Sequence, residues 1–194
     1  MPVLMAKGQQ VPLHRPDGRP LNLMRMGIGW QHAPRPALLG ALGLHRRGRL
    51  GAFAVLYGHG RFLDALFADN PRNPDESIEH LTGLVAEDTP AAGDSESFFA
   101  RLSRLPPHAD RIVFAVSSFD GSTFETVQSA HCRLVDESRG HELARYTFPA
   151  QGPHTALIMA EVTRTAGAWT MTAIGEPATC ATFGDLLQAI ERHG

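Results

Sequence analysis

Hydrophobic and polar positions along this chain follow a strand period for most of its length and change to a helix period only near the end. From Leu21 to Ile28, Asn22, Met24, Met26 and Ile28 share one face while Leu21, Leu23, Arg25 and Gly27 share the other. Apolar groups on both faces predict a central strand, closed by Gly27-Ile28-Gly29-Trp30. Arg111 to Phe119 contains the β-branched run Ile112-Val113-Phe114-Ala115-Val116, which predicts a strand in mid-sheet. Leu38 to Leu44, the basic turn Arg46-Arg47-Gly48-Arg49 and the alternating Phe53, Val55 and Tyr57 read as a hairpin.

Shorter apolar segments, Arg61 to Phe67 and Ile78 to Leu81, flank the turn-forming Asp69-Asn70-Pro71-Arg72-Asn73-Pro74-Asp75, and Phe98 to Leu105 stops at Pro106-Pro107. Three further strands, Ala130 to Val135, Leu143 to Phe148 and Thr155 to Arg164, have the regular spacing of an all-β protein. Thr165-Ala166-Gly167 then links tightly to Ala168–Ile174, an antiparallel hairpin with Trp169, Met171 and Ala173 on one face. At the other end, Gly8, Pro12, Pro16, Gly18 and Pro20 allow an edge strand at most. Phe183, Leu186, Leu187 and Ile190 form an i, i+3, i+4, i+7 stripe behind Thr182, with Asp185 placed to complete a capping box, so one amphipathic helix is expected to end the fold and pack on the sheets.

Composition narrows the function classes. A chain of 194 residues, 43% hydrophobic and 20% charged, can bury one good core, and a single domain over 1–194 is expected. A formal net charge of -2 provides no basic field for nucleic acid or an anionic membrane surface. The N-terminal residues lack a basic stretch followed by an apolar run, and no apolar stretch approaches the ~20 residues of a membrane span, so a cytoplasmic location is expected. Cys132 and Cys180 supply neither a disulfide framework nor CxxC spacing. His131 and Cys132 are adjacent and would point to opposite faces of a strand, which argues against shared chelation and makes Cys132 a small buried hydrophobe.

Candidate chemistry concentrates in the loop from Val85 to Glu96, where Glu87, Asp88, Asp94 and Glu96 surround Gly93. Carboxylates close together on a turning chain can converge on a hard cation such as calcium; the same composition also describes a solvated surface loop. A strict EF-hand reading fails because, counting from Asp88, Pro90, Ala92 and Phe99 fall at ligand positions. Ser117, Ser118 and Asp120 with a histidine could compose a hydrolytic set, but there is no Gly-x-Ser-x-Gly elbow. His80, beside Glu79, reads as a loop or core histidine rather than a general base. Glu161 and Glu176 lack a second carboxylate at a spacing suited to paired acid–base work.

An ordered set of landmarks resembles the TerD family of tellurium-resistance and bacterial general stress proteins. They begin with Leu4-x-x-Lys7-Gly8, Gly27-Ile28-Gly29-Trp30, Pro74-Asp75-x-x-Ile78-Glu79-His80 and Gly93-Asp94-Ser95-Glu96. Ile112-Val113-Phe114-Ala115-Val116, Arg133-Leu134-Val135-Asp136, Glu142-Leu143-Ala144-Arg145-Tyr146 and Trp169–Gly175 follow in order. The resemblance implies a mainly β fold, a two-sheet antiparallel β-sandwich with a C-terminal α-helix, and a calcium site of which Asp94 and Glu96 are the matched residues. It departs from the family pattern at Gln31, at Pro36 to Gly40 and at Thr82-Gly83-Leu84, where acids are expected. Weak or absent calcium binding follows, because affinity falls as charged ligands are removed. The implied role is a non-enzymatic module with protein partners in a stress or tellurium-resistance system; a metal-free interaction scaffold and a small-molecule hydrolase are the alternatives.

Overall fold

A computed structural model describes residues 1–33, 49–82 and 93–193. The Leu38–Leu44 arm, the Arg46-Arg47-Gly48 turn, Glu87 and Asp88 lie outside the described residues. The strands are β1 (Val3–Leu4), β2 (Gln10–Pro12), β3 (Leu23–His32), β4 (Gly51–Gly58), β5 (Arg61–Leu66) and β6 (Ile78–Thr82). They continue as β7 (Glu96–Arg101), β8 (Arg111–Ser117), β9 (Val127–Asp136), β10 (His141–Pro149), β11 (Ala156–Thr165) and β12 (Ala168–Ala178), and helix α1 (Phe183–His193) follows.

The strands form two six-stranded sheets, ordered β1-β10-β9-β3-β7-β6 and β2-β12-β11-β8-β4-β5. Pairing is antiparallel except between β1 and β10, where Val3 and Leu4 run parallel to Ala144 and Arg145. The two sheets pack face to face as a sandwich, as the resemblance implied. Strand β8 lies between β11 and β4, the mid-sheet place predicted from its continuous apolar run. The short β1 and β2 occupy sheet edges, in keeping with the density of proline and glycine around them.

Strand β3 corrects one sequence expectation. Gly27-Ile28-Gly29-Trp30 does not close it; pairing with β9 continues to His32 opposite Val127. Nor are its faces both apolar. Met24, Met26 and Ile28 are fully buried in the inter-sheet core, whereas Arg25, Gly27 and Gly29 form the outer face. The strand is central because both its edges are paired, with β9 on one side and β7 on the other.

The inter-sheet core brings residues distant in sequence together. Phe98 of β7 and Phe114 of β8, both fully buried, meet across the sandwich with ring centroids 5.7 Å apart. A second cluster lies on the far side of the second sheet, where Phe53, Val55, Val113, Ala115 and Ile158 are covered by Leu186 and Ile190 of α1. Burying those two side chains gives the isolated helix the tertiary packing that an eleven-residue segment needs to persist in water. Its start is capped reciprocally, with Asp185 N–H donating to Thr182 Oγ1 at 3.2 Å and Thr182 N–H donating to Asp185 Oδ2 at 2.9 Å. Among the described residues no helix is long and apolar enough to cross a membrane.

Candidate functional site

The polar site lies on the outer face of the first sheet and depends on two missing side chains. Gly27 pairs with Ser97 on one side and Arg133 on the other, and Gly29 pairs with His131. A Cβ built on Gly27 would lie 2.3 Å from Asp94 Cγ, and one on Gly29 would lie 2.2 Å from His131 Cε1 and 2.8 Å from the Gly93 carbonyl oxygen. These glycines form a floor on which the Gly93-Asp94 segment lies flat. An alternation of glycine along one strand face is a sequence signal for such an approach, although it does not identify the approaching segment.

Asp94 is thereby brought between two guanidinium groups. Arg133 donates through Nε to Asp94 Oδ1 at 2.6 Å and through Nη2 to Oδ2 at 2.7 Å, a two-pronged pair, while Arg25 Nη1 donates to Oδ2 at 2.6 Å. His131 Nε2 stands 3.7 Å from Oδ1, an ion-pair distance rather than a hydrogen bond. Only 2% of the Asp94 side chain is exposed. Burial pushes its pKa upward, but the neighbouring His131, the Arg133 pair and the charge of Arg25 prevail and hold the carboxyl well below the usual carboxylate range. Arg133 is reciprocally held in its charged form, first by Asp94.

The network continues outward until its charges are matched. Arg25 Nε donates to Glu137 at 2.8 Å, Arg133 Nη1 donates to Glu142 at 3.2 Å, and Arg145 grips Glu142 with Nε and Nη2 at 2.7 and 2.8 Å. The Glu142 carboxyl is held below its ordinary value, chiefly by Arg145. None of Arg25, His131, Arg133, Glu137, Glu142 and Arg145 was singled out from sequence as a site residue. Their partnership depends on the register of β3, β9 and β10, which local periodicity does not determine.

Asp94 and Glu96 do not converge. Glu96 begins β7 and pairs with Ile28, so its side chain enters the sandwich interior while Asp94 remains on the outer face. There Glu96 Oε2 accepts the Ala52 amide at 3.0 Å and lies 2.7 Å from His80 Nε2, tying the two sheets together. His80 is buried and stacks on Phe98 at 4.6 Å, a core histidine as expected, while Glu79 pairs with exposed Arg72. The two matched acids thus offer no shared set of oxygens: guanidinium charge engages one, and the other faces the interior. No group of three or more His, Cys, Asp or Glu suited to a metal ion occurs among the described residues.

The other candidates have structural partners. Ser118 Oγ donates to Asp120 at 2.5 Å, and Ser117 Oγ donates to the Thr155 carbonyl at 3.3 Å. Asp120 also accepts the Arg49 and Ser122 amides, and its carboxyl is held well below the usual range, chiefly by the Ser118 hydroxyl. These contacts describe a stapled turn rather than a nucleophile beside a base. His131 and Cys132 point to opposite faces as expected; Cys132 lies in the core and burial pushes its thiol up to about 12.

Comparison with known proteins agrees with the fold and the ordered landmarks. The chain is 33% identical over 187 residues to the tellurium resistance protein TerZ of Serratia marcescens, covering 95% of this chain and 94% of that protein. It is 26% identical over 200 residues to stress response protein SCP2 of Bacillus subtilis strain 168, covering 96% and 98% respectively. A crystal structure of a homologue of telluride resistance protein from Streptomyces coelicolor superposes with a TM-score of 0.62 at 23% identity, over 82% of this chain and 92% of that one. A family model described as TerD domain matches residues 1–189, and the chain belongs to that family.

Proposed function

We propose that this chain is a non-enzymatic binding module in a bacterial tellurium-resistance or general stress system, acting in the cytoplasm through protein partners. The observation that carries this reading is the end-to-end match to TerZ within the TerD domain family. The serine and aspartate contacts support it chemically, because the hydroxyls are engaged by a backbone carbonyl and a turn carboxylate. Calcium binding at Asp94 and Glu96 is weak or absent. The metal-free interaction scaffold is the second reading, favoured by the two guanidiniums on Asp94.

A bacterial strain deleted for its TerD-domain genes tests the role. Expression of this chain is expected to restore growth on tellurite or recovery from stress, and failure to restore either overturns the proposal. Purified protein is expected to show no turnover in esterase and phosphatase screens. Turnover that disappears in Ser117→Ala or Asp120→Ala would establish the hydrolase instead.

A further inference from the structure

We propose that Arg25 and Arg133 act as a built-in cation. Their guanidiniums do on Asp94 what a bound divalent ion would do on a carboxylate loop, pinning Gly93-Asp94 to the sheet without metal. Three observations meet here. The Asp94 carboxylate is almost wholly enclosed, and both its oxygens accept charged N–H donors at 2.6 to 2.7 Å. The donors come from β3 and β9, adjacent paired strands, so the positive charge is fixed by the sheet itself. Gly27 between them leaves no room for a Cβ, so the carboxylate descends to guanidinium level in the space left by the missing side chain.

The charge relation is local and complete. A carboxylate removed from water needs compensating positive charge, which a divalent ion or fixed arginines can provide. Arginine adds planar two-pronged geometry and remains charged at any physiological pH, so the attachment is permanent rather than responsive to free calcium. With Glu137 on Arg25, and Glu142 shared by Arg133 and Arg145, three guanidiniums face three carboxylates, leaving little net field to attract a further cation to this place. This inference deepens the weak-calcium reading above and rests on it only in excluding a strong metal contribution to the native protein.

Thermal melting of the full chain tests it in the presence of millimolar calcium chloride and, separately, of a chelator. The native protein, Arg25→Gln/Arg133→Gln and Arg25→Gln/Arg133→Gln/Asp94→Asn are compared. The native melting temperature is expected to be the same in both buffers. The double variant, which keeps amide donors but loses both charges, is expected to melt several degrees lower and to regain part of that loss in calcium. If it does not fold in chelator, the triple variant keeps the test decisive, because neutralising Asp94 is expected to restore a cooperative transition. Calcium stabilisation of the native protein would overturn the weak-calcium reading together with the built-in cation. An unresponsive native protein whose double variant melts unchanged, or is improved by neither calcium nor Asp94→Asn, would sink the built-in cation alone.

Discussion

At the residue scale, the absence of atoms at Gly27 matters as much as the charges around it. Gly27→Ala places a methyl group 2.3 Å from Asp94 Cγ, so either the carboxylate or the strand must move. A loss of about 2 kcal/mol is expected from the urea midpoint, the usual cost of forcing an extra methyl into a packed site. Most of that loss should disappear in an Asp94→Gly background if the clash is the cause; equal penalties in both backgrounds would exclude this coupling. Asp94 also imposes an acid limit. A carboxyl held lower in the folded than in the unfolded chain contributes stability fully above the ordinary range near pH 4 and loses it as pH falls through the folded value. Urea midpoints should therefore fall more steeply for the native protein than for Asp94→Asn as the solution is acidified below about pH 4.

At the element scale, α1 gives the clearest test of how local sequence signals combine with tertiary packing. Thr182→Ala removes one half of the reciprocal cap and should cost about 1 kcal/mol. Leu186→Ala opens a cavity where the helix meets the second sheet and should cost about 3 kcal/mol, both values being measurable by urea unfolding. A smaller effect at Leu186 than at Thr182 would mean that the helix is held chiefly by its cap. This element was legible from sequence because its cap and its apolar stripe are short-range. The tight β11–β12 turn was legible for the same reason: Ala166 and Gly167 both take positive φ, 50° and 83°, as the two-residue connection requires.

The register of β3 was harder to read. Its sequence announced a strand, but the outward Arg25 acquires meaning only when β9 aligns Arg133 opposite Gly27. The acidic loop shows the same difficulty in its chemistry. Asp94 and Glu96 are close in the chain, yet the start of β7 turns the latter into the core while the glycine floor keeps the former outside. Proximity in sequence suggested a common ligand; the sandwich assigns the two acids to separate charge partners.

At the scale of the whole molecule, both cysteines report on the integrity of the sandwich. Cys132 is enclosed between the sheets, and Cys180 is buried beside the beginning of α1. Burial raises both thiols, to about 12 for Cys132, leaving little reactive thiolate at neutral pH. Labelling by a thiol-specific disulfide reagent should be slow in native buffer and should follow the urea transition for both residues. Rapid labelling of Cys132 below the transition would reveal opening of the first sheet without global unfolding.

The edge pairings have a consequence for synthesis. Among the described residues, strand β1 finds its strand partner at Ala144 and Arg145, and β2 pairs with β12 through residues 170 to 172. Both strands are therefore made well before the strands they pair with, and must wait, unpaired, until β10 and β12 have been made. Folding then joins segments far apart in the chain, and until it does so the edges of β1 and β2 stay open to intermolecular association.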